Sequence, residues 1–293
     1  MPTPRGSVVV TGASSGIGRA CALHLDGTGF HVFATVRKAA DAAALAAAAS
    51  PNLVPLLMDV TDEASVAAAA RSVTTAVGAA GIAGLVNNAG YGLPGPIELV
   101  APADLRRQLE VNVVGQVVVT QAFLPLVRTA KGRIVNIGSV GGKITIPFGG
   151  ALCASKYAIE AITDALRMEL HPWGIHVVLV APAGIATPAV DALQRDGEAA
   201  IATYPPDGRR RYEAMFRTFL QRAVAKEKKG SPPAVVARAV LTALTARTPK
   251  ARYPVGADAT PLTWLPWLLP PRWLDRLRFK MFGLPPRFGE RAD

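Results

Sequence analysis

The chain has 293 residues, half of them apolar, 18% charged and 6% aromatic, which excludes a disordered tail, a collagen-like repeat and a disulfide mini-protein. Its 32 Lys and Arg against 21 Asp and Glu give a formal net charge of +11, but residues 1–204 carry 14 of each sign and residues 205–293 carry 18 against 7. The excess is therefore confined to the last third, and no recognition motif or aromatic stacking platform for nucleic acid accompanies it.

The first six residues run straight into Ser7-Val8-Val9-Val10 without the pattern of a signal peptide. Short β-rich apolar runs at 7–11, 30–35, 52–58, 84–87, 133–138 and 175–180 alternate with helix-period stretches near 16–28, 39–49, 62–79, 102–129 and 150–173. That alternation predicts βαβ units around a parallel sheet covered on both faces. After Thr187-Pro188 a charged loop-and-helix stretch, read as an insertion over 188–231, holds Arg209-Arg210-Arg211 and ends at Ser231-Pro232-Pro233. A helix at about 234–246 and a short strand at 252–255 then close the sheet. The segment 258–293 is rich in Pro, Trp, Leu and Arg, and its longest apolar stretch, 261–271, is short and interrupted by Pro266, so no membrane-spanning segment is expected. Cys21 and Cys153 lie outside any metal-binding or disulfide spacing, which fits a reducing, cytoplasmic compartment and indicates no metal. The expected architecture is α/β, a Rossmann-like doubly wound parallel sheet forming one domain over 1–257, with a C-terminal extension over 258–293.

Thr11-Gly12-Ala13-Ser14-Ser15-Gly16-Ile17-Gly18 sits at the junction of the first strand and first helix. Gly12 suits a tight turn, while Gly16 and Gly18 let backbone approach a pyrophosphate whose charge the helix N-terminus favours. Three glycines alone are weak, but in the first βα turn they are a dinucleotide signature. At the end of the second strand the sequence reads Ala34-Thr35-Val36-Arg37-Lys38, with no carboxylate for a ribose 2′-hydroxyl. Arg37 is placed to receive a 2′-phosphate, so NADP(H) is expected over NAD(H).

With these residues the chain resembles the short-chain dehydrogenase/reductase family, whose glycine motif is T-G-x-x-x-G-x-G. Asp59-Val60 matches the family's adenine-contacting pair, and Asn87-Asn88-Ala89-Gly90 matches its N-N-A-G. Asn112 stands where the family's helix asparagine supports a proton-relay water, and Ser139 where it keeps its active-site serine. The resemblance covers about residues 5–190 and implies a nicotinamide-dependent oxidoreductase. Ser14, Ser15 and Ile17 complete the implied phosphate loop, and Thr187 matches the residue that bonds the carboxamide.

Two positions depart from the family pattern. Its catalytic Y-x-x-x-K reads Leu152-Cys153-Ala154-Ser155-Lys156 here, with leucine at the tyrosine's place and 13 residues after Ser139. Tyr157 lies about 100° round the helix from Lys156 and is expected to pack rather than react. Lys156 would still hold the ribose, but loss of a positioned general acid costs on the order of 10²- to 10⁴-fold in rate. The other departure is Pro182-Ala183-Gly184-Ile185-Ala186-Thr187, where Ala183 replaces a glycine and its Cβ would tighten the backbone near the nicotinamide unless Gly184 absorbs the bend. Two functions follow as expectations: NADP(H)-dependent reduction of a carbonyl, imine or activated alkene with a proton from another source, or a non-redox or inactive NADP(H)-binding protein.

The insertion fits a lid, with Met215, Phe216, Phe219 and Leu220 at helical spacing, able to line an apolar pocket or to pack the lid helix on the sheet. A lipophilic small molecule is the expected substrate. The extension interleaves Trp264, Trp267 and Trp273 with Arg272, Arg276, Arg278 and Lys280. Covering the pocket mouth, packing on a second subunit of a homo-oligomer and lying at an anionic membrane surface all suit such a segment.

Overall fold

The computed structural model describes residues 5–285. Seven strands form one parallel sheet in the order β3-β2-β1-β4-β5-β6-β7. They are β1 Ser7–Val10, β2 His31–Val36, β3 Leu53–Leu57, β4 Gly84–Asn87, β5 Arg133–Ile137, β6 His176–Pro182 and β7 Arg252–Val255. Strand direction of growth reverses at β1, which pairs with β2 on one side and β4 on the other, so a crevice opens at the carboxyl ends of β1 and β4.

Alternation along β1 divides the core. Val8 and Val10 pack with Cys21, Leu25, Val236 and Val240 on one face, and Val9 packs with Phe33, Val66, Val119 and Phe123 on the other. Helices α1 Gly16–Gly27, α2 Ala39–Ala46, α3 Glu63–Val77, α4 Pro102–Leu109, α5 Gly115–Ala130 and α6 Gly150–Leu170 follow the first five strands, α4 and α5 together after β4. The stretch expected as one helix over 102–129 is divided by a π-helical turn at Glu110–Val114, a local adjustment that re-aims side chains. The run Pro102–Ala130 is, among the described residues, the one helix long and apolar enough to cross a membrane by length and composition. Here it packs in the core, with Val119, Phe123 and Val127 fully buried.

A buried amide chain ties the central strands to the helices. Asn87 and Asn136 are paired across β4 and β5; Asn87 Nδ2 donates to Thr120 Oγ1 at 2.9 Å and to Asn136 Oδ1 at 3.0 Å, and Asn136 Nδ2 donates to Thr163 Oγ1 at 2.9 Å. Asn87 Oδ1 has no hydrogen-bond partner among the described residues, but the three bonds link β4 and β5 to Thr120 of α5 and Thr163 of α6.

The insertion is two helices, α7 Ala189–Thr203 and α8 Pro206–Lys228, followed by α9 Ala234–Thr245. The extension adds α10 Ala259–Leu268 and α11 Pro271–Phe282. Pro266 lies inside α10 near its C-terminal end, where its missing N–H forgoes one helical bond to the carbonyl four residues upstream and the helix ends two residues later. Lid and extension share an apolar cluster of Phe148, Ile201, Phe216, Phe219, Leu220, Phe282 and Leu284. Phe216 and Leu220 are fully buried in it, so of the four lid residues expected to line a pocket or to pack the lid only Phe219 reaches the cavity wall.

Candidate cofactor and active site

A cavity of about 1400 Å³ lies at the carboxyl ends of the strands and extends beneath α7, α8 and α11. Its floor at one end is the glycine turn. Gly12 and Gly16 take φ values of +66° and +54°, left-handed conformations that favour glycine. A Cβ on Gly18 would collide with the Gly12 carbonyl and the Asn88 amide. The turn is clamped to β4: Thr11 Oγ1 accepts from the Asn88 and Ala89 N–H groups at 2.9 and 3.0 Å, and Asn88 Nδ2 donates to the carbonyls of Thr11 and Gly12 at 2.9 and 3.1 Å. Helix α1 begins without a side-chain cap from Ser15 and without an acidic residue in its first turn. Its leading N–H groups thus face the cavity unpaired by side chains, a setting that suits phosphate.

The structure brings together on the cavity wall Gly12, Ser14, Ser15, Gly16, Ile17, Gly18, Arg37, Asp59, Val60, Asn88, Ala89, Gly90, Lys156 and Thr187. Arg37 follows directly on β2 and is exposed. Asp59 accepts from Thr61 through both N–H and hydroxyl at 2.9 and 2.8 Å. The Thr61 backbone bond holds the Asp59 carboxyl below its ordinary range against the opposing effect of burial, and the charges of Arg37 and Arg107 add to the lowering.

Leu152 and Lys156 share the cavity-facing side of α6. Lys156 Nζ donates to the Ile137 carbonyl at 2.9 Å, and burial brings its pKa down to about 8. Tyr157 is exposed and its hydroxyl donates to the Lys143 carbonyl, away from Leu152, in keeping with a packing role. Ser139, just past β5, lines the cavity while its Oγ accepts from the Gly141 N–H at 2.9 Å.

Asn112, expected with Ser139 as a polar group facing the pocket, is placed otherwise. It is 2% exposed and lies behind the wall rather than on it. Its Oδ1 accepts from Tyr91 N–H at 3.0 Å, and its Nδ2 donates to the Tyr91 carbonyl at 2.9 Å and to Ser155 Oγ at 3.0 Å. Because the π-helical turn directs the amide into these three bonds, Asn112 positions the 91 loop and α6 and does not face the pocket as a polar group. In the loop after β6, Gly184 takes no left-handed φ. The backbone needs no such bend, because Ala183 N–H donates to Val255, the Gly184 carbonyl accepts from Ser231, and Ile185 N–H donates to Glu227 Oε2.

Glu227, Cys153, Tyr91 and Arg278 also line the cavity and were not singled out as site residues. Burial raises the Glu227 carboxyl above its usual range. The signal was missing because Glu227 and Arg278 reach the site only through the packing of lid and extension, which no spacing in the sequence encodes.

The short chain dehydrogenase profile matches residues 7–198. The chain belongs to the short chain dehydrogenase family. Retinol dehydrogenase 5 of Mus musculus is 40% identical over 94% of this chain and 88% of its own length. The NADPH-dependent 3-dehydrocapnine reductase of Ornithobacterium rhinotracheale is 37% identical over 93% and 95%. Among solved structures, a short-chain dehydrogenase from Streptomyces avermitilis superposes with a TM-score of 0.74 at 26% identity, covering 97% of each chain. One from Burkholderia cenocepacia, in complex with NADP, gives 0.70 at 26% identity over 95% and 98%. The family's oxidoreductases and the fit of the glycine turn place a nicotinamide dinucleotide in this cavity.

The depressed pKa of Lys156 makes a measurable contribution. Between about pH 8 and its ordinary value of 10.5 the unfolded chain binds this proton more tightly than the folded one, so stability from this residue rises with pH. In the cofactor-free protein, the Tm of the wild type relative to Lys156→Met is expected to climb from pH 8 to 10 and to stay level below pH 7.

Proposed function

We propose that the protein is an NADP(H)-dependent oxidoreductase acting on a carbonyl, imine or activated alkene of a lipophilic small molecule, with its proton delivered by a group other than a side chain at position 152. The observation that carries this reading is the conjunction on one wall of Lys156 and Ser139 with an apolar Leu152. The NADP(H) preference rests on Arg37 at the end of β2, where no carboxylate stands, and is supported by the NADPH-dependent relative.

When bound, the nicotinamide supplies the hydride chemistry. The chain's own residues then have three tasks. Gly12 to Gly18 and the open end of α1 hold the phosphates, and Arg37 pairs with the 2′-phosphate. Lys156, fixed on the Ile137 carbonyl, holds the ribose. Ser139 orients the substrate's polar atom, and a water held between Ser139 and Lys156 donates the proton in place of a phenol. Iminium ions and activated alkenes reduce the demand for that donor and suit the site best. Leucine at 152 also favours a second reading, in which NADP(H) is bound while the pocket catalyses a non-redox cyclisation or isomerisation by shape and electrostatics.

The outer face of the extension carries a separate proposal. Trp267 and Leu268 are 78% and 72% exposed, Trp264 and Trp273 are nearly as open, and Arg272 and Arg276 beside them are exposed as well. A basic, Trp-bearing face matches the headgroup region of an anionic bilayer, and we assign it to peripheral docking there.

Three measurements test these readings. Arg37→Ala is expected to weaken NADPH binding by about 10- to 100-fold, the loss of one charge-assisted bond, while leaving NADH nearly unchanged; equal losses for both cofactors would contradict the assignment. Leu152→Tyr is expected to raise ketone reduction by about 10²-fold or more, and NADPH consumption by the wild type with an iminium or enone substrate separates the redox reading from the non-redox one. Co-sedimentation with phosphatidylserine vesicles is expected for the wild type and lost in a Trp267→Ser, Trp273→Ser double variant; equal recovery of both in the supernatant counts against docking.

A further inference from the structure

The extension places one cation inside the substrate end of the cavity. Arg278 lies on α11 and lines the cavity together with Leu262, Met281 and Phe282. Its side chain is 18% exposed; Nη1 donates to Asp275 Oδ1 at 2.9 Å, and Asp275 itself is half exposed. Its Nε is buried and has no hydrogen-bond partner among the described residues. A partly buried guanidinium on an apolar wall is incompletely solvated, and a pair with a half-exposed carboxylate through Nη1 offsets only part of that cost.

The surroundings sharpen the point. Ile144, Ile146, Phe148, Leu193 and Phe219 make the neighbouring wall apolar. The charge of Arg278 is felt at Cys153, beside Leu152 in the first turn of α6. The other charged groups of this end are engaged or open to water. Glu227 accepts from Ile185, Arg195 pairs with Asp196, and Lys226 is exposed.

We infer that Arg278 anchors a carboxylate borne by an otherwise apolar substrate, so that the oxidoreductase proposed above acts on an amphipathic acid rather than on a neutral lipid. The guanidinium fork matches a planar carboxylate in geometry as well as in charge, and the apolar wall accepts the remaining body. The inference rests on the oxidoreductase reading for its chemistry, but not for its binding step.

The test is titration calorimetry of the full-length protein with dodecanoate and, as the neutral isostere, dodecanamide, each with and without NADPH, with cofactor binding followed by nicotinamide fluorescence. The wild type is expected to bind dodecanoate about 10- to 100-fold more tightly than dodecanamide, as one buried charge-assisted contact gives. Arg278→Gln is expected to erase that preference without changing the dodecanamide Kd, and Arg278→Lys to retain part of it. Near-UV circular dichroism reports whether each variant keeps the native packing. No preference in the wild type, or an undiminished one in a folded Arg278→Gln protein, would overturn the assignment. An Arg278-dependent preference in a protein that fails to bind NADPH would uphold it and sink the oxidoreductase reading instead.

Discussion

The clamp between Thr11 and Asn88 is the constraint on which the site depends. One hydroxyl accepts from two successive N–H groups after β4, and one amide returns two bonds to the glycine turn after β1. These bonds span the place where the sheet's strand order reverses. They hold open the only kind of crevice that a doubly wound sheet provides without an insertion. Gly18 is required by the same clamp, since any side chain there would occupy the space of the Asn88 amide. Cofactor binding is thus a property of sheet topology, and the residues around it refine which dinucleotide and which substrate fit.

Leucine at position 152 leaves that frame undisturbed. Leucine occupies the first cavity-facing turn of α6 and lies near Gly92, so the wall is filled rather than opened. Lys156 keeps its bond to Ile137, and Ser139 keeps its place beyond β5. What remains can hold and orient a substrate beside the cofactor. In the proposed function the acid role passes from a side chain to a held water, which would favour substrates with little need of a strong donor.

Much of this was legible in the sequence because it is local. Alternating valines and the spacing of Thr11, Gly12, Gly16 and Gly18 report directly on one strand, one turn and one helix. The carboxyl-end positions of Arg37, Asp59, Asn88 and Ser139 follow from strand ends, and topology then brings them to one cavity. Asn112 was misjudged because a π-helical turn, which has no sequence signal of its own, carries it behind the wall. For Met215, Phe216 and Leu220 the limit was different: helical periodicity shows that a face is apolar but not whether a cavity or another helix meets it. Glu227 and Arg278 were invisible as site residues because long-range packing alone delivers them.

The shared cluster of lid and extension has a mechanical consequence. Phe219 of α8 meets Phe282 at the end of α11 with ring centroids 5.0 Å apart, and both rings belong to the wall that covers the cavity. Neither helix can swing outward alone without stripping apolar surface from the other. Moving either helix away from the cavity would therefore expose apolar surface on both, which couples the outer face of the extension to the covered wall.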